Sequence, residues 1–308
     1  MVPPKVYGLI GYPVKHSFSA VMHNAAFKAL GIRAEYRLFE VKPEELKDFL
    51  LNDVLIKDIH GEAVFAKDIL GFNITIPHKI HAKTILSQAF PYSAPQESTH
   101  YMEISGAINT VKRVGDKLKY CNTDAPGFAK SVKQDLRFNS KYTSILLIGC
   151  GGAGRAIIAS LTWKGAYTKK IYIYENNREA VKAAKSHFSQ FPSVSKKLEF
   201  IFTEQVPNTL KQCDLLINAS PVGMKEADAP VLDKKILAAN KELRVYDVVY
   251  NRQTELVKAA QELGIPVSGG LGMLFYQGVL SFEFWTGKKA PEEVMRKALD
   301  KEMRKCLN

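Results

Sequence analysis

The sequence predicts an α/β protein built as two domains, and three observations carry that expectation. The chain is 308 residues long, more than one hydrophobic core usually fills. Stretches that alternate apolar and polar residues are interleaved with stretches of helical spacing, the pattern of strands layered with helices. A glycine-rich turn at Gly149-Cys150-Gly151-Gly152-Ala153-Gly154 stands where an apolar run stops and a helical run begins. This order implies a mostly parallel sheet and a cleft between the domains.

KVYGLI (5–10) reads as the opening strand, with a turn at Gly11-Tyr12-Pro13. Met22, Ala25, Ala26, Ala29 and Leu30 recur at helical spacing, and Gly31 closes that helix as a residue free to take positive φ. AEYRLFEV (34–41) alternates as a strand, and KPEELKDFLL opens a helix with Pro43 in its first turn. GFNITI (71–76) is the next strand, with Pro77 placed to end it and His78 and Lys79 at its tip. NTVKRVGDKLKYCNTD (109–124) has the form of a hairpin, and a helix covers 126–136. A second α/β series opens at 144, with strands at 171–174, 199–202, 214–218 and 244–249 and a helix at 178–190. Helical spacing over 270–308, broken at Pro291, completes the chain. The expected domains are residues 1–123, completed by helices from 270–308, and residues 124–269.

Composition narrows the function. Hydrophobic residues make up 46% and charged residues 24%, ordinary for a globular protein. No apolar run reaches the roughly 18 residues of a membrane span, and MVPPKVYGLIGYP lacks the layout of a signal peptide. Lys and Arg outnumber Asp and Glu by 43 to 31, giving +12. The basic residues are scattered, with no long run and no zinc-finger or aromatic RNA-binding pattern, so they read first as a generally basic surface and second as suited to a small anionic ligand, and nucleic acid is not expected. Cys121, Cys150, Cys213 and Cys306 form no C-x-x-C pair, which argues against zinc and disulfides and for the cytoplasm.

Gly149, Gly151 and Gly154 spell G-x-G-x-x-G. The triplet alone is common, but here the strand Ile145–Ile148 leads in and RAIIASLTWKG leaves as a helix. That arrangement lets backbone approach a pyrophosphate at a helix N-terminus, the mark of a Rossmann-type dinucleotide-binding domain. The following strand ends at Glu175, 21 residues beyond Gly154. A carboxylate there accepts hydrogen bonds from ribose hydroxyls and favours NAD. A like charge about 4 Å away costs up to roughly 4 kcal/mol at an effective dielectric near 20, which disfavours the 2′-phosphate of NADP. Arg178, with Asn177 before it, stands close enough to accept NADP if Glu175 points away.

An alcohol dehydrogenase needs a group to carry the hydroxyl proton. Lys79, after its strand, and Asp124, in CNTDAPGF, are titratable candidates, but they lie 45 positions apart and nothing local joins them. The order of motifs joins them. GYPVKHSFSAVMHNAAF, NITIPHK, GAINT (106–110), NTD (122–124), GCGGAGRA (149–156), NASPVGM (218–224), DVVY (247–250) and GGLGMLFYQG (269–278) follow one another as they do in the shikimate dehydrogenase family. The chain resembles that family along nearly its whole length.

The resemblance implies reversible NAD(P)-dependent reduction of 3-dehydroshikimate to shikimate, in the shikimate pathway of aromatic amino acid biosynthesis, by a cytoplasmic monomer or homodimer. It places Lys79 and Asp124 as the catalytic lysine and aspartate, and Ser17 and Ser19 on the substrate carboxylate. Thr75, Asn109 and Gln277 fall where ring hydroxyls are bound, with Asn73 and Tyr250 beside them. Ser220, Met224, Val248, Tyr250 and Gly270 fall at the nicotinamide pocket. No metal is implied, since the nicotinamide carries the hydride. His16 and His23 read as loop and helix-surface residues, and His78 as shaping the loop beside Lys79. The chain departs from the family at Ala20, at Ala125-Pro126, in longer segments near 52–70 and 84–104, and at ENNRE after the second nucleotide-binding strand. Quinate is the alternative substrate, and a sensing regulator without chemistry the rival from another class.

Overall fold

The alternation read from the sequence becomes strands and helices in the computed structural model, which describes residues 3–91, 94–164, 166 and 168–307. The chain divides into two units, the first formed by Met1–Gly127 with Leu274–Cys306 and the second by Phe128–Met273.

The first unit opens with β1 (Lys5–Gly11), α1 (Ser19–Ala29) and β2 (Ala34–Glu40). A 3₁₀ turn at Pro43–Glu45 leads into α2 (Leu46–Leu51), and β3 (Leu55–Lys57) pairs antiparallel with β4 (Ala63–Phe65). The longer segment near 52–70 is thus a two-stranded ribbon of its own. After it come β5 (Ile69–Ile74), α3 (Lys79–Ala89), α4 (Gln96–Ser105), the hairpin β6 (Thr110–Val114) and β7 (Lys117–Cys121), and α5 (Asp124–Gln134). The main sheet has the order β2-β1-β5-β6-β7. It is mixed and not mostly parallel: β1 runs parallel to β2 and β5, while β5–β6 and β6–β7 are antiparallel. The hairpin accounts for the β6–β7 pair, because a short turn at Gly115 can only reverse the chain. Consequently the carboxyl ends of β1, β5 and β7 and the start of β6 share one sheet edge. Phe39, Phe49 and Phe72 fill the core beneath, with the Phe49 and Phe72 rings meeting edge to face at 5.2 Å.

Two local expectations are corrected. β5 stops at Ile74, and Thr75 to His78 form a turn in which the His78 N–H donates to the Thr75 carbonyl at 3.0 Å. Lys79 is therefore the first residue of helix α3, not the tip of a strand. Pro77 lies in the turn, where its missing N–H leaves no helix bond unmade. His23 is fully buried rather than on the helix surface, stacked on the Tyr36 ring at 4.5 Å. Ser19, His23 and Phe27 are all buried, and their four-residue spacing puts them on one face of α1.

The second unit contains β8 (Ser144–Ile148), α6 (Gly152–Thr162), β9 (Lys170–Tyr174), α7 (Arg178–Phe188), α8 (Pro192–Ser195), β10 (Leu198–Ile201), α9 (Val206–Leu210), β11 (Leu215–Asn218), α10 (Lys234–Leu237), β12 (Arg244–Asp247), α11 (Glu255–Glu262) and β13 (Val267–Ser268). Its sheet is parallel throughout, in the order β10-β9-β8-β11-β12-β13. Ile145, Leu146 and Leu147 are fully buried on both faces of β8, as a central parallel strand requires. The order reverses at β8, and that switch point is where a ligand meets the carboxyl ends of the strands. α12 (Leu271–Thr286) and α13 (Glu292–Leu307) complete the fold. The chain passes into the second unit inside α5 and returns inside α12.

Candidate active site

Residues distant in sequence meet at the shared edge of the first sheet. α3 begins with Lys79 and α5 begins with Asp124, and the Lys79 Nζ donates to Asp124 Oδ2 at 2.6 Å. The two side chains are only 14% and 6% exposed, so the ion pair is screened far less than one at the surface. Asn109, just before β6, fixes the other carboxylate oxygen: its Nδ2 donates to Asp124 Oδ1 at 3.0 Å. Its Oδ1 accepts the Thr123 N–H at 2.7 Å, which sets the amide's orientation. Gln277 on α12 joins from the far side, with Oε1 at 3.3 Å from Asn109 Nδ2. Lys79, Asp124, Asn109 and Gln277 thus form one contiguous group.

Ser17 and Ser19 lie after β1, where Ser19 opens α1. The Ser17 hydroxyl donates to that of Ser19 at 3.2 Å and accepts the Ser19 N–H. Thr75 is half-buried in the turn before α3. Asn73 is directed into the protein: Oδ1 accepts from the Tyr36 hydroxyl at 2.9 Å, while Nδ2 faces the Asn109 carbonyl, Thr110 Oγ1 and Ser281 Oγ. His78 precedes α3, and its Nε2 lies 2.7 Å from the Val41 carbonyl. Burial holds this imidazole below its ordinary range, the carbonyl opposing and His81 adding to the shift. Thr123, Thr110, Tyr36 and Ser281 were not singled out from the sequence. Thr123 stood inside the NTD motif and Thr110 inside GAINT; Tyr36 and Ser281 carried no local mark.

In the second unit the glycine turn follows β8. Gly149 has φ +91°, and an added Cβ on Gly154 would collide with the Gly149 carbonyl. Gly151 precedes α6, and nothing lies within 4 Å of where its Cβ would stand. Gly152 and Ala153 follow in the first turn, whose amides an α-helix leaves without internal acceptors. Open space, no side chain and unspent N–H groups fit a pyrophosphate. Glu175 follows β9 directly. Its carboxylate accepts the Cys150 N–H and the Asn177 N–H, both at 3.0 Å. Asn177 caps α7 through the Ala180 N–H at 3.0 Å and Arg178 is the exposed first residue of that helix.

After β11, the Ser220 hydroxyl donates to Asn218 Oδ1 at 2.6 Å, and Met224 is exposed. Asn218 Nδ2 in turn donates to the buried Asp247, which also accepts from Thr254. Burial outweighs those hydrogen bonds and raises the Asp247 carboxyl to about 6. Val248 and Tyr250 follow β12 half-buried, and the Gly270 N–H donates to the Val249 carbonyl at 3.1 Å. Cys121, Cys150 and Cys213 are buried free thiols pushed up to about 12, burial being the main cause. The side chain of Cys306 lies outside the described residues. Among the described residues no three or more His, Cys, Asp or Glu side chains gather as a metal site. No described helix is long and apolar enough to cross a membrane.

A glycine turn of this shape at the switch point of a parallel sheet is how dinucleotide-dependent oxidoreductases hold the pyrophosphate of their coenzyme, and the protein falls in that class. Within it, the chain belongs to the shikimate dehydrogenase family. The shikimate dehydrogenase substrate binding domain matches residues 9–111, and the shikimate 5′-dehydrogenase C-terminal domain matches residues 270–299. Shikimate dehydrogenase (NADP(+)) of Methanopyrus kandleri is 34% identical over 302 residues, covering 97% of this chain and 96% of that protein. The structure of Listeria monocytogenes shikimate 5-dehydrogenase with shikimate and NAD superposes with a TM-score of 0.75 at 28% identity, covering 96% of both chains. Quinate dehydrogenase from Corynebacterium glutamicum with NAD gives a TM-score of 0.77 at 25% identity, over 97% of this chain and 100% of that one.

Proposed function

We propose that the protein interconverts 3-dehydroshikimate and shikimate, with Lys79 and Asp124 as its proton-transfer pair. The observation that carries this reading is the 2.6 Å contact between Lys79 Nζ and Asp124 Oδ2, at the edge where Ser17, Ser19, Thr75, Asn109 and Gln277 also stand. Ser17 and Ser19 hold the substrate carboxylate. Ser19 opens an 11-residue helix, and the positive end of its dipole favours an anion there. Each hydroxyl bond to that carboxylate contributes roughly 1.5–3 kcal/mol. Thr75, Asn109 and Gln277 take the ring hydroxyls.

Lys79 has three N–H hydrogens, and one is committed to Asp124. The others reach the C3 oxygen and solvent. In reduction the ammonium gives its proton to the carbonyl oxygen; in oxidation the amine takes the hydroxyl proton back. Asp124 keeps Nζ in place throughout. The bound nicotinamide dinucleotide supplies or accepts the hydride.

Gly149, Gly151, Gly152, Ala153 and Gly154 would hold its pyrophosphate, Glu175 its adenosine ribose, and Ser220, Met224, Val248, Tyr250 and Gly270 its nicotinamide end. Glu175 argues for NAD over NADP, because two backbone N–H groups stabilise a negative charge at the ribose position. The protein works as a monomer or homodimer, and in the cytoplasm, the second reading supported by three buried free thiols.

The test is an assay of shikimate and of quinate, each with NAD and with NADP, on wild type and Lys79→Ala. Shikimate should turn over, and Lys79→Ala should lower kcat by about 10²–10⁴ with the dinucleotide KM little changed. Turnover of quinate alone would replace the substrate. No turnover at all would end the reading, and full activity in Lys79→Ala would remove the lysine from it.

A further inference from the structure

Ser281 lies on α12 one turn beyond Gln277 and is fully buried. Its hydroxyl stands at the centre of a polar cluster drawn from four parts of the first unit. Oγ donates to the Gln277 carbonyl at 2.9 Å. Around it lie Asn73 Nδ2 from β5 at 2.9 Å, Thr110 Oγ1 from β6 at 2.8 Å and Thr123 Oγ1 from the turn before α5 at 3.1 Å.

Counting hydrogens gives this cluster a direction. A serine hydroxyl has one hydrogen and two lone pairs. With its hydrogen on the Gln277 carbonyl, Ser281 accepts from Asn73 Nδ2, which can only donate, and from one threonine. Thr110 is the nearer. Thr123 Oγ1 accepts from Asn109 Nδ2 at 2.8 Å and lies 3.0 Å from Thr110 Oγ1. A consistent chain of donors therefore runs from Asn109 through Thr123, Thr110 and Ser281 to the Gln277 carbonyl. Removing the Ser281 hydroxyl takes away the acceptor near the end, so the Thr110 and Thr123 hydroxyls turn towards their other acceptor, Asn109 Oδ1, at 3.3 and 3.2 Å. The Thr123 hydroxyl is one of the groups that restrain the Asn109 side chain, and Asn109 holds Asp124 Oδ1.

We infer that Ser281 is a positioning residue for the Lys79–Asp124 pair, acting through Thr110, Thr123 and Asn109. The inference rests on the dehydrogenase reading above. It is tested by a double-mutant cycle on the intact chain, with initial rates of shikimate oxidation for wild type, Ser281→Ala, Asn109→Ala and the double variant. Ser281→Ala is expected to lower kcat/KM for shikimate about tenfold and to leave the dinucleotide KM within twofold. In the Asn109→Ala background, at raised enzyme concentration, the same change is expected to cost less than twofold. Thr110→Val, which keeps the shape and removes the middle hydroxyl, should behave as Ser281→Ala does, and it carries the test if Ser281→Ala does not fold. Equal losses in both backgrounds would overturn the inference, because a general loosening of the fold acts independently of Asn109. So would a lowered thermal midpoint with unchanged kcat/KM. An inactive wild type would overturn the functional reading, and this inference with it.

Discussion

Glu175 is the residue on which the proposed choice of NAD turns, whereas similar proteins such as that of Methanopyrus kandleri carry NADP(+) in their names. Its charge sits at the end of β9, held by the Cys150 and Asn177 amides, so it cannot simply swing away without leaving both donors unpaired. A 2′-phosphate brought there meets a fixed like charge. Glu175→Ala should therefore raise kcat/KM for NADP relative to NAD by about tenfold or more, a modest share of the roughly 4 kcal/mol ceiling for such a contact. Equilibrium binding of the two reduced coenzymes, followed by fluorescence, checks this without turnover. An unchanged ratio would mean that the ribose does not approach this carboxylate.

At the scale of elements, the β8–α6 turn depends on Gly154, whose hydrogen faces the Gly149 carbonyl where a methyl would collide. Gly154→Ala should weaken dinucleotide binding at least tenfold and cost about 1–3 kcal/mol of stability in the second unit, measured by coenzyme titration and urea unfolding. This turn was legible because strand, glycines and helix are consecutive. So were β1, β2, β9 to β12 and the β6–β7 hairpin, whereas β3, β4 and β13, only two or three residues long, were not. The end of β5 was misplaced by two residues, since Thr75 and Ile76 continue the alternation although the chain has already turned. Burial of His23 was missed because its polar ring outweighed the four-residue spacing that it shares with Ser19 and Phe27. The Ser281 cluster had no local trace: its contacts to Asn73 and Thr110 span 208 and 171 residues. Lys79 and Asp124 became a pair on the page of the sequence only through the resemblance to a family, and the fold supplies the distance.

For the whole molecule, acid acts on the two units in opposite senses. His23, in the first, is lowered from 6.5 to about 3 by burial. The unfolded chain binds a proton there that the folded one does not, so stability is lost as pH falls from 6.5 towards 3, on the order of 5 kcal/mol in all. Asp247, in the second, is raised from 3.8 to about 6. The folded state then holds the extra proton, and its contribution to stability grows as pH falls from 6 to 3.8. Hydrogen exchange corrected for intrinsic rates should show β1 and β5 losing protection relative to β8 and β11 between pH 6.5 and 4. His23→Phe should abolish most of that difference, and a difference that survived it would point to another group. The route of the chain bears on synthesis as well. The second unit is one uninterrupted segment, while the first is left open until α12 has been translated. A ribosome therefore releases everything the coenzyme unit needs before it releases Gln277 and Ser281. The nascent chain thus holds all of Phe128–Met273 first, and the sheet edge that bears Lys79, begun earliest, is finished last.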